Sequence, residues 1–280
     1  METEEAIIVL NINNELCHDS KTIADFFNNC FTTVASVKKL AKAKGIYCVT
    51  SQLFLNFYKR KNPHNKKLVL QPVTEEFVFK ELCSLNANKS TGLDEIPARF
   101  IKYGANVIKV PIIAIINQSI TTGVVPQSMK YARVKPLFKK NSPLEVGNYR
   151  PISILSIVSK ILERSLYKQL DEFLQENKML YHLQSGFKQK YSIDTCLIYL
   201  LDYLRTNNAK GVYTGMIMLD LQKAFDTVDN NILCSKLKVM GVQSVDWFES
   251  YLTDRIQLVS VNSTISESMN VSCGCPRVAY

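Results

Sequence analysis

The sequence predicts a mixed α/β fold whose first half is mostly helical. Three observations carry that prediction. Apolar residues recur at helical spacing as far as Gly123. From Arg133, basic and apolar residues alternate, as in a strand with one wet face. Met216-Ile217-Met218-Leu219 then makes an apolar run of strand length that ends in Asp220, where a buried strand would emerge. A carboxylate at the mouth of a rigid strand can be held where a metal ion must sit, although a solvated strand-end acid is the plainer reading of these residues alone.

The elements follow in order. Ile23, Ala24, Phe26, Phe27, Phe31 and Val34 form a helical stripe after Asp19-Ser20, a suitable N-cap. The segment onward to Lys67 is basic and polar, and reads as a linker or an extension over residues 1–70. Beyond Gln71-Pro72, Thr74 caps a helix that carries Glu75 and Glu76 in its first turn and Val78, Leu82 and Leu85 on one face. Asn88 to Asp94 is a polar turn, and Ile96-Pro97 opens a further helix. Pro111 suits the first turn of an apolar helix through Ile120, closed by Gly123 and Pro126. Residues 71–130 therefore read as a helical unit, and residues 131–280 as the part that carries strands.

Arg133-Val134-Lys135-Pro136-Leu137-Phe138 and Gly147-Asn148-Tyr149-Arg150-Pro151-Ile152-Ser153 read as two basic strands joined by a turn. Such a finger could close over a triphosphate. Arg150 is the leading candidate, because guanidinium binds phosphate oxygens bidentately; its plainer reading is a surface ion pair. Leu162, Leu166, Leu170 and Phe173 mark a helix after Ser159, and Ile193 to Leu204 another. Between them, Gln184-Ser185-Gly186-Phe187-Lys188 could let a nucleic-acid backbone approach, or could simply be a turn glycine beside a packed Phe. Leu233, Leu237 and Met240 form a helix stopped by Gly241. Trp247 and Tyr251 read as core, and residues 257–271 as a hairpin turning near Asn262-Ser263.

Net charge is +9, and the excess is clustered. Lys38, Lys39, Lys42 and Lys44 form one group, and Lys59, Arg60, Lys61, Lys66 and Lys67 a second. Lys130, Arg133, Lys135, Lys139 and Lys140 form a third with no acid between them. Clusters of this kind suit a phosphate backbone, or solubility alone. The eight cysteines contain no Cys-x-x-Cys, which argues against zinc, with Cys273-x-Cys275 left open. The acidic start and the absence of a long apolar run lead to the expectation of an intracellular chain with reduced thiols and no membrane contact.

Four segments in order carry a resemblance. They are Lys89-Ser90-Thr91-Gly92-Leu93-Asp94-Glu95-Ile96-Pro97, Asn148-Tyr149-Arg150-Pro151-Ile152-Ser153, Gln184-x-Gly186-Phe187, and Asp220-Leu221-Gln222-Lys223-Ala224-Phe225-Asp226-Thr227-Val228-Asp229. Together they make the chain resemble the reverse transcriptase of non-LTR retrotransposons (LINE elements, jockey-like), from about Phe26 to Pro276. The resemblance implies right-hand polymerase fingers and a partial palm behind a mostly helical extension, with Mg²⁺ as cofactor. RNA template, DNA primer and dNTPs would be the partners, with no stable protein partner, in nucleus or cytoplasm. Asp220 matches the first metal carboxylate, and Phe225 the aromatic that crowds a 2′-hydroxyl. Arg150, with Lys139 or Lys140, matches the triphosphate ligands, and Gln184, Gly186 and Phe187 match a segment near the template. Asp226 and Asp229 are expected as hydrogen-bonding supports.

The sequence also departs from the resemblance. Gly274-Cys275-Pro276 begins the family's next motif, then Arg277-Val278-Ala279-Tyr280 leaves it, and no Asp-Asp pair occurs in the 280 residues. Loss of one base after the Pro276 codon would turn Pro-Gln-Gly-Ser-Ile-Leu into this tail. The expectation is a truncated, inactive polymerase; the alternative is a non-catalytic nucleic-acid-binding remnant.

Overall fold

The computed structural model describes residues 8–33, 53, 56–62, 65–221 and 223–275. The first basic cluster, Cys48, Gln222 and the tail from Pro276 lie outside them. A short ribbon, β1 (Leu10–Ile12) with β2 (Glu15–Cys17), leads into α1 (Ser20–Thr33). Asp19 caps α1, its carboxylate accepting from the Thr22 amide at 2.8 Å and the Thr22 hydroxyl at 2.6 Å. Both bonds favour the ionised form, so the carboxyl titrates below its ordinary range.

Helices α2 (Glu75–Ser84), α3 (Ala98–Tyr103) and α4 (Ala105–Thr122) build the next layer. Thr74 caps α2 as expected, accepting from the Phe77 amide. The boundary of α4 differs from the expected one: the helix starts at Ala105, which leaves Pro111 in its interior. Pro111 forfeits one helical hydrogen bond there. The helix continues because Ile112, Ile116 and Ile120 are buried along one face and repeat at helical spacing. Gly123 closes it in the left-handed conformation at φ +69°.

The sheet has β3 (Tyr131–Phe138) at its centre, antiparallel to β4 (Tyr149–Ile154) and parallel to β5 (Arg255–Val261). The finger hairpin is therefore present, with Leu137 opposite Arg150 and Lys135 opposite Ile152. β5 alternates buried and half-buried positions along its whole length, so one face packs inward. Asn262 and Ser263, both at positive φ, make the two-residue turn to β6 (Thr264–Ile265). β7 (Met269–Val271) then pairs with the start of β5.

Helix α1 buries Ile23, Ala24 and Phe27 against Val134, Tyr149, Val259 and Val261 of the sheet. Helix α5 (Ile157–Glu176) starts three residues before the expected point, because Ser156 caps it. Its Ile161, Leu162 and Leu166 join α2, α4 and Trp247 of α8 (Val245–Leu252) in a second core. Helix α7 (Asn230–Met240) is capped by Asp229, whose carboxylate accepts from two backbone amides, the supporting role expected of it. No helix among the described residues is long and apolar enough to cross a membrane.

The run Met216–Asp220 departs from expectation: it forms no strand, and its residues are exposed, Leu219 at 89%. A buried strand needs a hydrogen-bonding neighbour and apolar cover, and among the described residues neither is supplied to this run. Its apolar sequence is real, but periodicity reads composition and not partners. The preceding α6 (Ile193–Ala209), capped by Ser192, likewise has no buried residue.

Candidate active site

Three segments that are far apart in the chain, the last of them a run and the turn that follows it, meet at one cavity of about 760 Å³. The finger contributes Lys139, Asn148 and Arg150; the run after α6 contributes Asp220 and Lys223; the turn that follows contributes Phe225 and Asp226; and α1 contributes Phe31. Each segment is held by ordinary local chemistry. The hairpin tip is closed by the Lys139 amide donating to the Asn148 carbonyl at 2.9 Å. The Tyr149 hydroxyl donates to the Pro143 carbonyl at 2.7 Å, and the Tyr149 ring packs edge-on to Phe27. Phe225 opens a 3-10 turn in which the Asp226 amide donates to the Lys223 carbonyl at 3.0 Å.

The turn at Phe225 is clamped from behind. The Cys275 amide donates to the Phe225 carbonyl at 3.0 Å, and the Gly274 amide to the Val228 carbonyl at 2.9 Å. Gly274 sits at φ +85°, and a Cβ there would lie 2.9 Å from the Phe225 carbonyl oxygen. Glycine is required on both counts. The Cys273 thiol donates to the Asp226 carbonyl at 3.6 Å, so the Cys273-x-Cys275 pair acts here as part of this clamp.

Of the residues the sequence proposed, Asp220, Arg150, Lys139 and Phe225 line the cavity. Lys140 is exposed on the same loop and is not among the lining residues. Gln184 and Gly186 do not line it either; the Gln184 side chain donates to the Gly186 carbonyl at 3.1 Å and stiffens their turn. Phe187, at φ +58°, meets Phe225 edge-to-face with ring centroids 5.5 Å apart. The turn at Gly186 and the turn at Phe225 thus share one contact. Phe31, Asn148 and Lys223 were not singled out. Phe31 lay in plain view as part of a helical stripe, but no local pattern says that its helix returns to the sheet.

The third basic cluster divides once folded. Lys130 is buried, and burial pushes its ammonium below its ordinary pKa. Arg133 pairs with Glu95 at 3.4 Å. Lys139 remains exposed at the cavity.

No three metal-ligating side chains gather among the described residues. Asp220 and Asp226 are the acids lining the cavity.

Comparison with known proteins decides the family. The pattern described as "Reverse transcriptase (RNA-dependent DNA polymerase)" matches residues 138–277, half of the chain. The chain belongs to the reverse transcriptase family. This reverse transcriptase chain is 27% identical over 241 residues to the probable RNA-directed DNA polymerase from transposon BS of Drosophila melanogaster, covering 82% of the chain and 26% of that protein. It is 25% identical over 217 residues to the RNA-directed DNA polymerase from mobile element jockey of Drosophila funebris, covering 77% and 24%. Over 110 residues it is 33% identical to the Pol polyprotein from element R2 of Popillia japonica, covering 38% and 14%. The chain spans about a quarter of the length of the first two relatives. Its kinship is with the non-LTR retrotransposon reverse transcriptases, as the four motif segments imply.

Proposed function

We propose that these 280 residues are the nucleotide- and template-handling part of an RNA-directed DNA polymerase, and that by themselves they bind without polymerising. Arg150 and Lys139 hold the triphosphate of a dNTP, Arg150 through two parallel N–H donors. Phe225 lies under the deoxyribose and excludes ribonucleotides by filling the space of a 2′-hydroxyl. Phe187, with Gln184 and Gly186 setting its turn, supports the template base beside that sugar. Asp220 contributes one carboxylate toward Mg²⁺, and the other carboxylates that such a centre needs are not among the described residues. The observation that carries this reading is the convergence of Arg150, Lys139, Asp220 and Phe225 on one cavity from segments about 80 residues apart.

The test uses a fluorescent dNTP analogue and a recessed RNA-template, DNA-primer hybrid. The chain is expected to bind both and to leave the primer unextended with Mg²⁺ present. Arg150→Ala should weaken nucleotide binding about 10- to 30-fold, the cost of a charge-assisted pair at roughly 1.5–2 kcal/mol. Nucleotide affinity unchanged in Arg150→Ala would remove the triphosphate role. Primer extension that Asp220→Ala abolishes would overturn the binding-only part, and failure to bind the hybrid would overturn the whole reading.

A further inference from the structure

Helix α6 carries a seam that nothing among the described residues covers. Its 17 residues follow a full capping box, in which the side chains of Ser192 and Thr195 each accept the other's amide. The helix therefore has a defined start, yet no residue along it is buried. Leu200, Leu204 and Asn207 are half-buried and share one side. Roughly 120° around the helix from them lie Asp194, Ile198, Leu201 and Arg205. All four are exposed, Ile198 at 65% and Leu201 at 50%. A helix of this length is marginal alone in water, and an open apolar stripe adds nothing to hold it.

The four residues follow one another at intervals of four, three and four, the spacing of a coiled-coil seam. Their chemistry runs acid, apolar, apolar, base. Two copies of the helix laid antiparallel about the point between Tyr199 and Leu200 set Asp194 opposite Arg205 of the second copy, and Ile198 opposite Leu201. Each contact then occurs twice, as a two-fold interface between identical chains requires. The two ion pairs close an apolar centre from both ends, about 16 Å apart along the axis. A parallel pair would instead set Asp194 on Asp194 and Arg205 on Arg205, like charge on like. Among the described residues, neither Asp194 nor Arg205 takes part in an ion pair within its own chain.

We propose that α6 is a self-association surface that pairs antiparallel with α6 of a second copy of this chain. The second copy is favoured over a different partner because the seam is complementary to itself, in charge at its ends and in apolar contact at its centre. Two helices of about 25 Å bury on the order of 1,000 Å² in total, the small end of specific interfaces. The complex is accordingly a reversible dimer that forms as concentration rises.

The experiment is sedimentation equilibrium of the whole chain at low salt, over concentrations up to about 100 µM, read against the 31.8 kDa of one copy. The parent is expected to approach twice that mass. Asp194→Arg and Arg205→Asp should each weaken self-association about tenfold, because each turns two attractive pairs into two repulsive ones. Mixed in equal amounts, the two variants should associate as tightly as the parent, since both arginines of one chain then face both aspartates of the other. Recovery on mixing cannot come from a variant that has failed to fold. A parent that stays monomeric across the range would overturn the proposal and leave the seam to a partner of another kind. Association unchanged in both single variants would also overturn it, and would assign the dimer to another surface such as the exposed run Met216–Leu219. So would weakened single variants that do not recover on mixing, because the antiparallel register requires that recovery.

Discussion

Replacing Trp247 by alanine is expected to lower stability by about 4 kcal/mol and the thermal midpoint by roughly 10 °C. Trp247 is 2% exposed and sits where α8 meets α4. Its ring stacks on Tyr251 at 5.3 Å and packs edge-on to Phe248 at 5.4 Å. The indole N–H donates to the Ser119 hydroxyl at 3.0 Å, which in turn donates to the Val124 carbonyl at 2.8 Å. Truncation would leave a cavity that three helices cannot close together, and would leave Ser119 short of a partner. Circular dichroism melting measures it; a midpoint within about 2 °C of the parent would show that the site collapses without cost.

Asn28→Leu is expected to cost about 3 kcal/mol and to free α1 from the sheet. The Asn28 side chain is completely buried and works as a bracket. Its amide donates to the Ser266 hydroxyl at 3.0 Å and the Glu267 carbonyl at 2.7 Å, and its oxygen accepts from the Gln257 side chain at 3.0 Å. Leucine fills similar space but leaves the buried Gln257 amide without that partner, at about 1–3 kcal/mol, and removes one of the two donors to the Glu267 carbonyl. Because α1 carries Phe31 into the candidate site, nucleotide binding should weaken along with stability. Limited proteolysis should cut the variant within residues 8–33 far sooner than the parent. Equal protection of that helix in both would mean that its apolar face alone holds it.

Local chemistry was legible in the sequence, and partnership was not. Thr74 and Asp19 announced helix starts because caps act within three residues. Asn262-Ser263 announced a hairpin because a two-residue turn demands positive φ. The finger strands were legible for the same reason: Arg133 to Phe138 and Asn148 to Ser153 pair across a short loop. Met216 to Leu219 misled because an apolar run tells of water avoided, not of the neighbour that would cover it. Pro111 misled because tertiary burial of Ile112 and Ile116 outweighs one lost hydrogen bond. In the site, Asp220, Arg150 and Phe225 were found through motif segments, and their convergence became visible only when the sheet and α1 were assembled.

The bracket at Asn28 has a consequence for biosynthesis. Its partner Gln257 lies 229 residues downstream. At roughly 5–20 residues per second, the ribosome delivers that partner about 10 to 45 seconds after Asn28 has been made. Until β5 is made, Ile23, Ala24 and Phe27 lack the Val259 and Val261 part of their cover, and α1 alone is near the length at which a helix is marginal in water. The nascent helix therefore stays without part of its cover until β5 has been made, which makes α1 a natural client of a chaperone.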